Sequence, residues 1–427
     1  MQQLDRTQPP LLADFVPFNI EKAKSQLLEH GIPAYSITAG SQEVIRIDFV
    51  FGSGSWQEEV PLAASLTSRM LQEGSRFRSG RVLAETLDAY GAYLQYEAGV
   101  DRSAVSLYTL TKHLATLLPT VLELIFLPGF PLAELETTVR NQQQQLAVDR
   151  QKVSVMARRA FMQAVFGAKN PYGYQAEEAD LAHLRPDQLA RFHKRNYTTN
   201  NLTVIAAGWQ AEQALDQLNK ALREITPSIS DSLLEISHPF ETAAPGRIEV
   251  PKEGALQHAL RLGKPMVGKL HPDYIGLKVL NTVLGGYFGS RLMSNLREDK
   301  GYTYGVGSAI LSYERAAFFT IATEVGAAVS DDAIEQIMLE VDKLRKEPIP
   351  TQELNTVRSY LQGVYLSNFD GAFALADRFR DIHFFGLGYD YYDAYIGTVE
   401  SIGSEKLLEL AQTYLAPDSL LVVRAGS

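Results

Sequence analysis

The chain contains no cysteine in its 427 residues, which excludes disulfide staples and thiolate metal sites alike. Any metal centre would have to be built from histidine and carboxylate. Histidine is scarce too. The eight present, at positions 30, 113, 183, 193, 238, 258, 271 and 383, never stand three or four apart, the spacing that sets two imidazoles on one helical face. A self-contained zinc site is not expected, and lone histidines such as His193 and His383 read as surface or hydrogen-bonded structural residues. No run of lysine or arginine occurs and the net charge is -10, which argues against nucleic acid or an anionic membrane surface as partner. Long apolar runs are also missing. The most apolar stretch, residues 114–130, contains Pro119 and Pro128 and falls short of the roughly 20 residues of a membrane span once Pro119 divides it, so it reads as a buried helix. The first ten residues, MQQLDRTQPP, lack a basic segment followed by an apolar one. The expected compartment is therefore cytoplasmic, or periplasmic if a leader has been removed.

What is present is an ordinary globular composition, 45% apolar and 21% charged, in a chain long enough for more than one core. It repeats. Val139-Arg140 in PLAELETTVRNQQQQL and Val357-Arg358 in TQELNTVRSYLQGVYL lie 218 positions apart, and Leu202 to Gly208 matches Leu420 to Gly426 at that same offset of 218. Leu83 and Leu87 match Leu292 and Leu296 at an offset of 209, an indel absorbing the difference. The chain is read as two homologous halves. Each opens with alternating strands such as VIRIDFVF (Val44 to Phe51) and continues with a helix, residues 61–73 or 274–284. Strands follow at 93–97 and 103–110, or at 304–310 and 316–323. Long amphipathic helices then lead to a closing strand at 202–207 or 420–424. Mostly antiparallel strands with helices massed together indicate an α+β fold. Residues 225–247, rich in Ser, Thr, Pro and Gly, read as a linker between domains at 1–224 and 248–427.

Several strings are distinctive. FGSGS-x-x-E-x-x-x-x-A spans Phe51 to Ala63, and the helix after Pro61 spaces Leu62, Leu66, Met70 and Leu71 for burial. NPYG ends a long helix at Asn170 to Gly173, RFHKRNYTTNNLTVIAAG follows, and LGG-x-FGSRLMSNLRE-x-KGYTYGVGS runs from Leu284 to Ser308. Gly285-Gly286 is no phosphate loop, since no Gly-Lys-Ser/Thr follows. Asp390-Tyr391-Tyr392-Asp393 is expected near a helix start or against the second core. The glutamine run Gln142–Gln145 reads as a solvated helix face.

On these strings, over nearly its whole length, the chain resembles the M16 family, the insulinase-like, pitrilysin and mitochondrial-processing-peptidase clan of zinc endopeptidases. The resemblance implies a LuxS/MPP-like metallopeptidase fold, two half-domains forming a half-shell. In that family a His-x-x-Glu-His helix and a distant glutamate hold zinc, and the central glutamate activates water. Carried over by position, Ser65 and Arg69 stand at the imidazole sites, Ser68 at the base and Gln145 near the carboxylate. A serine hydroxyl is a poor ligand, an arginine is none and an amide is neutral. The expectation is no metal, no cofactor and no peptidase activity in this chain alone.

The family also uses an arginine and a tyrosine seven positions apart to bind the substrate backbone and stabilise the oxyanion. Arg297 and Tyr304 stand at that spacing, with Tyr302 the rival phenol. Taken without the family, Arg297 would pair with Glu298 or Asp299 and Tyr304 would be a core aromatic. The resemblance implies the non-catalytic subunit of a two-chain M16B-type endopeptidase. Its heterodimer partner would be a catalytic M16 subunit with an intact zinc motif, and its substrate a peptide or unfolded polypeptide bound as an added edge strand. The alternatives are an inert scaffold or a peptide-binding, holdase-like homodimer.

Overall fold

VIRIDFVF alternates branched and aromatic residues with polar ones, and it forms a central strand of the first sheet. The computed structural model describes residue 16, residues 18–226 and residues 236–427; the first ten residues, and 227–235 of the expected linker, lie outside them. The first half runs β1 (Lys24–Leu27), β2 (Pro33–Thr38), β3 (Val44–Phe51), α1 (Ala63–Met70), α2 (Gly80–Asp88), β4 (Tyr93–Ala98), β5 (Ser103–Leu110), α3 (Leu114–Phe126), α4 (Leu132–Asp149), α5 (Val153–Phe166), α6 (Glu178–Ala182), α7 (Pro186–Asn196), β6 (Leu202–Gly208) and α8 (Ala211–Leu222). The second runs β7 (Gly246–Val250), β8 (Gln257–Pro265), α9 (Tyr274–Asn281), β9 (Val306–Ser312), β10 (Ala317–Gly326), α10 (Ser330–Lys346), α11 (Thr351–Ser367), α12 (Ala372–His383), α13 (Asp390–Ser401), α14 (Ser404–Tyr414) and β11 (Leu421–Ala425).

The first sheet has the order β1-β2-β6-β3-β5-β4 and the second β7-β11-β8-β10-β9. Without edge strand β1 they correspond strand for strand. β2 lies parallel to β6 as β7 does to β11, and every other neighbouring pair is antiparallel in both. The repeat seen in the sequence is thus a repeat of topology, and the fold is α+β.

One face of each sheet is covered by helices of its own half. Ile45, Ile47, Phe49 and Phe51 join Leu66, Leu117 and Leu215 in the first core, while Leu260, Leu262, Phe319 and Ile321 join Leu277, Ile337 and Leu410 in the second. The opposite faces are covered by exchange. Helix α5, from the first half, lies across β8 and β11 of the second sheet, and α12, from the second half, lies across β2 and β6 of the first. The approach of α5 is close. A Cβ on Gly263 would stand 2.9 Å from Cζ of Phe161 and 2.0 Å from the carbonyl of Phe319, so this strand position needs glycine. On the other side the Phe379 ring meets that of Tyr35 at 4.8 Å. Each large side chain buried this way contributes on the order of 1.5–3 kcal/mol that neither half would gain alone.

A buried ionic group also spans the halves. Alternation in β3 points Arg46 and Asp48 away from the first core, yet both are buried, because α12 covers that face. Arg46 Nη2 lies 3.0 Å from Asp48 and 2.7 Å from Asp377 of α12. Burial opposes its charge, but the two carboxylates outweigh it and the guanidinium titrates above its usual range. Elsewhere on the seam Arg102 pairs with Glu314 and Arg315 with Asp101.

Three expectations need adjustment. Leu114–Phe126 is one helix through Pro119; Ala115 and Pro119 both face solvent, so the carbonyl that loses its donor can be hydrated. The helix expected over 274–284 becomes a π-turn at Thr282–Gly286, where Gly285 presses on Ser308. Strand β9 begins at Val306 rather than Tyr304, because Thr303 Oγ1 bonds the backbone of Gly305 and turns the chain. As expected, Asp390 starts a helix, and Tyr392 is buried in the cluster between the halves. The glutamine run lies on a helix with a single buried residue, Leu135.

The ionic group can be tested by its asymmetry. Arg46→Met leaves Asp48 buried without its closest cation and is expected to cost about 3–5 kcal/mol in guanidinium unfolding, whereas Arg46→Met with Asp48→Leu should recover most of that loss. Equal costs for the single and double variants would mean that Arg46 does not neutralise Asp48.

Candidate functional site

The helix on which the expected motif positions Ser65, Ser68 and Arg69 fall is well built. Pro61 precedes Leu62, which adopts a left-handed conformation at φ 68, and the Glu58 side chain caps the entry by accepting from the Ala64 amide at 2.7 Å and the Leu62 amide at 3.1 Å. Burial pushes the Glu58 carboxyl up to about 7 against those two donors. Helix α1 buries Ala63, Ala64, Leu66 and Met70 in the first core. Ser65 Oγ donates back to the Leu62 carbonyl at 3.2 Å, and buried Ser68 donates to the carbonyl of Glu97 on edge strand β4 at 3.3 Å. Arg69 faces solvent. Gln145 sits exposed on α4 and donates to Asp149 at 3.0 Å; no hydrogen bond joins it to the other three.

Zinc needs neutral or anionic N, S or O donors at about 2 Å. Two hydroxyls spent on carbonyls, a guanidinium and an amide do not fit it. Among the described residues no group of three or more His, Asp or Glu stands together to hold a metal. His193, buried on α7, lies 2.7 Å from the Ile125 carbonyl through Nε2 and stacks on Tyr197 at 4.9 Å. Burial lowers its pKa to about 4. His383 is wedged between Tyr35 and Phe379. Both are structural residues, and neither is on the surface.

The second half presents the opposite picture. Arg297 lies in a π-turn at Met293–Asp299, its guanidinium 4.5 Å from the Phe288 ring centre and 5.4 Å from that of Tyr304. It forms no ion pair with Glu298 or Asp299, so the pairing expected without the family is absent. Tyr304 is 92% exposed and is not a core aromatic. Tyr302 is committed, its hydroxyl donating to Asp332. The turn bearing Tyr304 forms one wall of a cavity of about 680 Å³, whose other walls are Ser154 and Ala157 of α5 and Ala259, Arg261 and Glu324 of β8 and β10. Cations held over aromatic faces keep their donors free for an incoming acceptor.

Residues 183–361 match the family described as Peptidase M16 inactive domain. The chain is 24% identical over 323 residues to an uncharacterized zinc protease YmxG of Bacillus subtilis, covering 75% of this chain and 78% of that protein. It is likewise 24% identical over 326 residues to a non-peptidase homolog YmxG of Helicobacter pylori, covering 73% and 72%. The structure of a peptidase M16 inactive domain from Pseudomonas fluorescens superposes with a TM-score of 0.83 at 24% identity, covering 95% of this chain and 98% of that one. A protease from Helicobacter pylori superposes at 0.85 with 16% identity, covering 96% and 100%. Among the described residues no helix is long and apolar enough to cross a membrane.

Sequence reasoning missed Arg261 and Lys278, cations that line cavities. The only signal for them was a charge within otherwise apolar stretches, ALRL and GLKVL.

The buried imidazole of His193 gives the fold an acid limit. Its folded pKa lies below the unfolded value of 6.5, so its contribution is fully present above pH 6.5 and is lost as pH falls toward 4. The wild-type protein should therefore lose about 3 kcal/mol more than His193→Gln between pH 7 and pH 4 in urea unfolding. Parallel pH profiles would contradict a buried neutral histidine.

Proposed function

We propose that this chain is the non-catalytic subunit of a two-chain M16B-type zinc endopeptidase, a half-shell that closes on a zinc-bearing partner of the same family. It would bind the peptide or unfolded substrate and supply Arg297 and Tyr304 to the partner's site. The observation that carries this reading is the exposed stack of Phe288, Arg297 and Tyr304 beside a cavity of about 680 Å³. Packing does not account for it, since Tyr304 is almost fully exposed and among the described residues the guanidinium of Arg297 pairs with no carboxylate. A guanidinium and a phenol can both donate to an oxyanion as charge develops, and neither has to give up a proton to do so. The degenerate motif helix supports the same reading, because Ser65, Ser68, Arg69 and Gln145 leave the metal and the base to another chain. In this reading the zinc belongs to that partner.

Reconstitution tests it. This chain and the zinc-motif M16 homologue from its own source should each be inactive on an unfolded peptide and active when mixed. Arg297→Ala or Tyr304→Phe should then lower kcat by about 10²–10³-fold while the two chains still co-elute. Full activity of the Arg297→Ala complex would overturn the donor role. A stable symmetric homodimer that binds peptide and gains nothing from the homologue would favour the holdase reading.

A further inference from the structure

We propose that the cleft between β9, α9 and α11 is a second binding site, which takes a carboxylate carried on an aromatic body. It rests on observations separate from the partner reading. The cleft encloses about 510 Å³, and its walls are edge strand β9 from Ser308 to Ser312, α11 through Tyr360 and Tyr365, and the side chains of Lys269, Lys278, Arg378 and Asp381. In a chain of net charge -10, a cavity with three cations and one carboxylate stands out.

The single carboxylate is already taken. Lys269 Nζ pairs with Asp381, donates to the Asp381 carbonyl at 2.9 Å and lies 4.5 Å from the Phe385 ring centre. Lys278, on α9, is partly buried, and among the described residues its ammonium has no hydrogen bond and no ion pair. Burial, and after it the charge of Lys269, pushes that ammonium below its usual range, with Asp381 opposing. A partly desolvated cation without a counter-ion lowers stability. A carboxylate from a ligand would remove the deficit through charge-assisted hydrogen bonds.

The rest of the wall is aromatic. Tyr274, Tyr391 and Tyr395 line the cavity beside Tyr360, offering flat apolar faces and hydroxyl donors, so the body next to the carboxylate should be a ring. The cleft's place in the fold fits a binding role. Helices α9 and α11 and strand β9 stand in the second half where α1, α4 and β4 stand in the first. The walls of the cleft are therefore the repeat counterparts of the elements around helix α1.

Two sources share this chemistry, a peptide ending in an aromatic residue and a free aryl carboxylate. Calorimetry on the full chain at pH 7 would use a tetrapeptide ending in phenylalanine, its C-terminal amide, and phenylacetate. At least one of the two acids should bind, with the amide weaker than the peptide acid by about tenfold or more. Whichever acid binds more tightly identifies the source. Lys278→Gln should weaken binding about tenfold and Lys278→Arg by less than about threefold. Because Lys278 has no partner to lose, Lys278→Gln should melt no lower than wild type. Should that variant misfold, acylation of Lys278 in the wild type, mapped by mass spectrometry, must be slowed by the bound acid. Equal binding of acid and amide, no binding of either acid at millimolar concentration, or unchanged labelling of Lys278 would overturn the proposal.

Discussion

The structure depends on an exchange of helices. Each half presents a sheet with two apolar faces and covers one of them itself. The other is covered by a helix that belongs by sequence to its neighbour, α5 on the second sheet and α12 on the first. Separated, each half would expose Phe161, Phe166 and Phe318, or Phe379, Ile205 and Ile37, to water. The two halves therefore behave as one rigid platform. Rigidity of this kind is what a group acting on another chain's substrate requires, since a misplacement of about 1 Å can cost a factor of 10² in rate.

The exchange also positions the site. Helix α5 forms one wall of the cavity into which Tyr304 opens, and the opposite wall is second-half strand and turn, so the cavity exists only because the halves interlock. Helix α12 contributes Arg378 and Asp381 to the cationic cleft in a similar way. Helix α1 of the first half has its cap at Glu58 and its buried face, and Ser65 and Ser68 spend their hydroxyls on main-chain carbonyls.

Much of this was legible in the residues. The 218-residue repeat anticipated two sheets of one order, and alternation placed β3 and β5. What stayed hidden depended on contacts distant in sequence. Arg46 and Asp48 alternate away from the core face of β3 and are buried only because a helix more than 300 residues away lies over them. Pro119 read as a helix break, though a proline on a solvent-facing turn need not end a helix. Tyr304 read as a strand residue because Y-T-Y has strand propensity, while the Thr303 hydroxyl decides the turn locally. The lack of a counter-ion at Lys278 is a fact of three-dimensional neighbourhood, and no spacing rule encodes it.

The central claim, that this chain donates to a metal site it does not itself contain, is tested most directly by native mass spectrometry of the chain alone and bound to its zinc-motif homologue. The expected result is no zinc on the isolated chain and one zinc per one-to-one complex. A tightly held zinc on the isolated chain, or a homologue that forms no complex with it, would contradict the account.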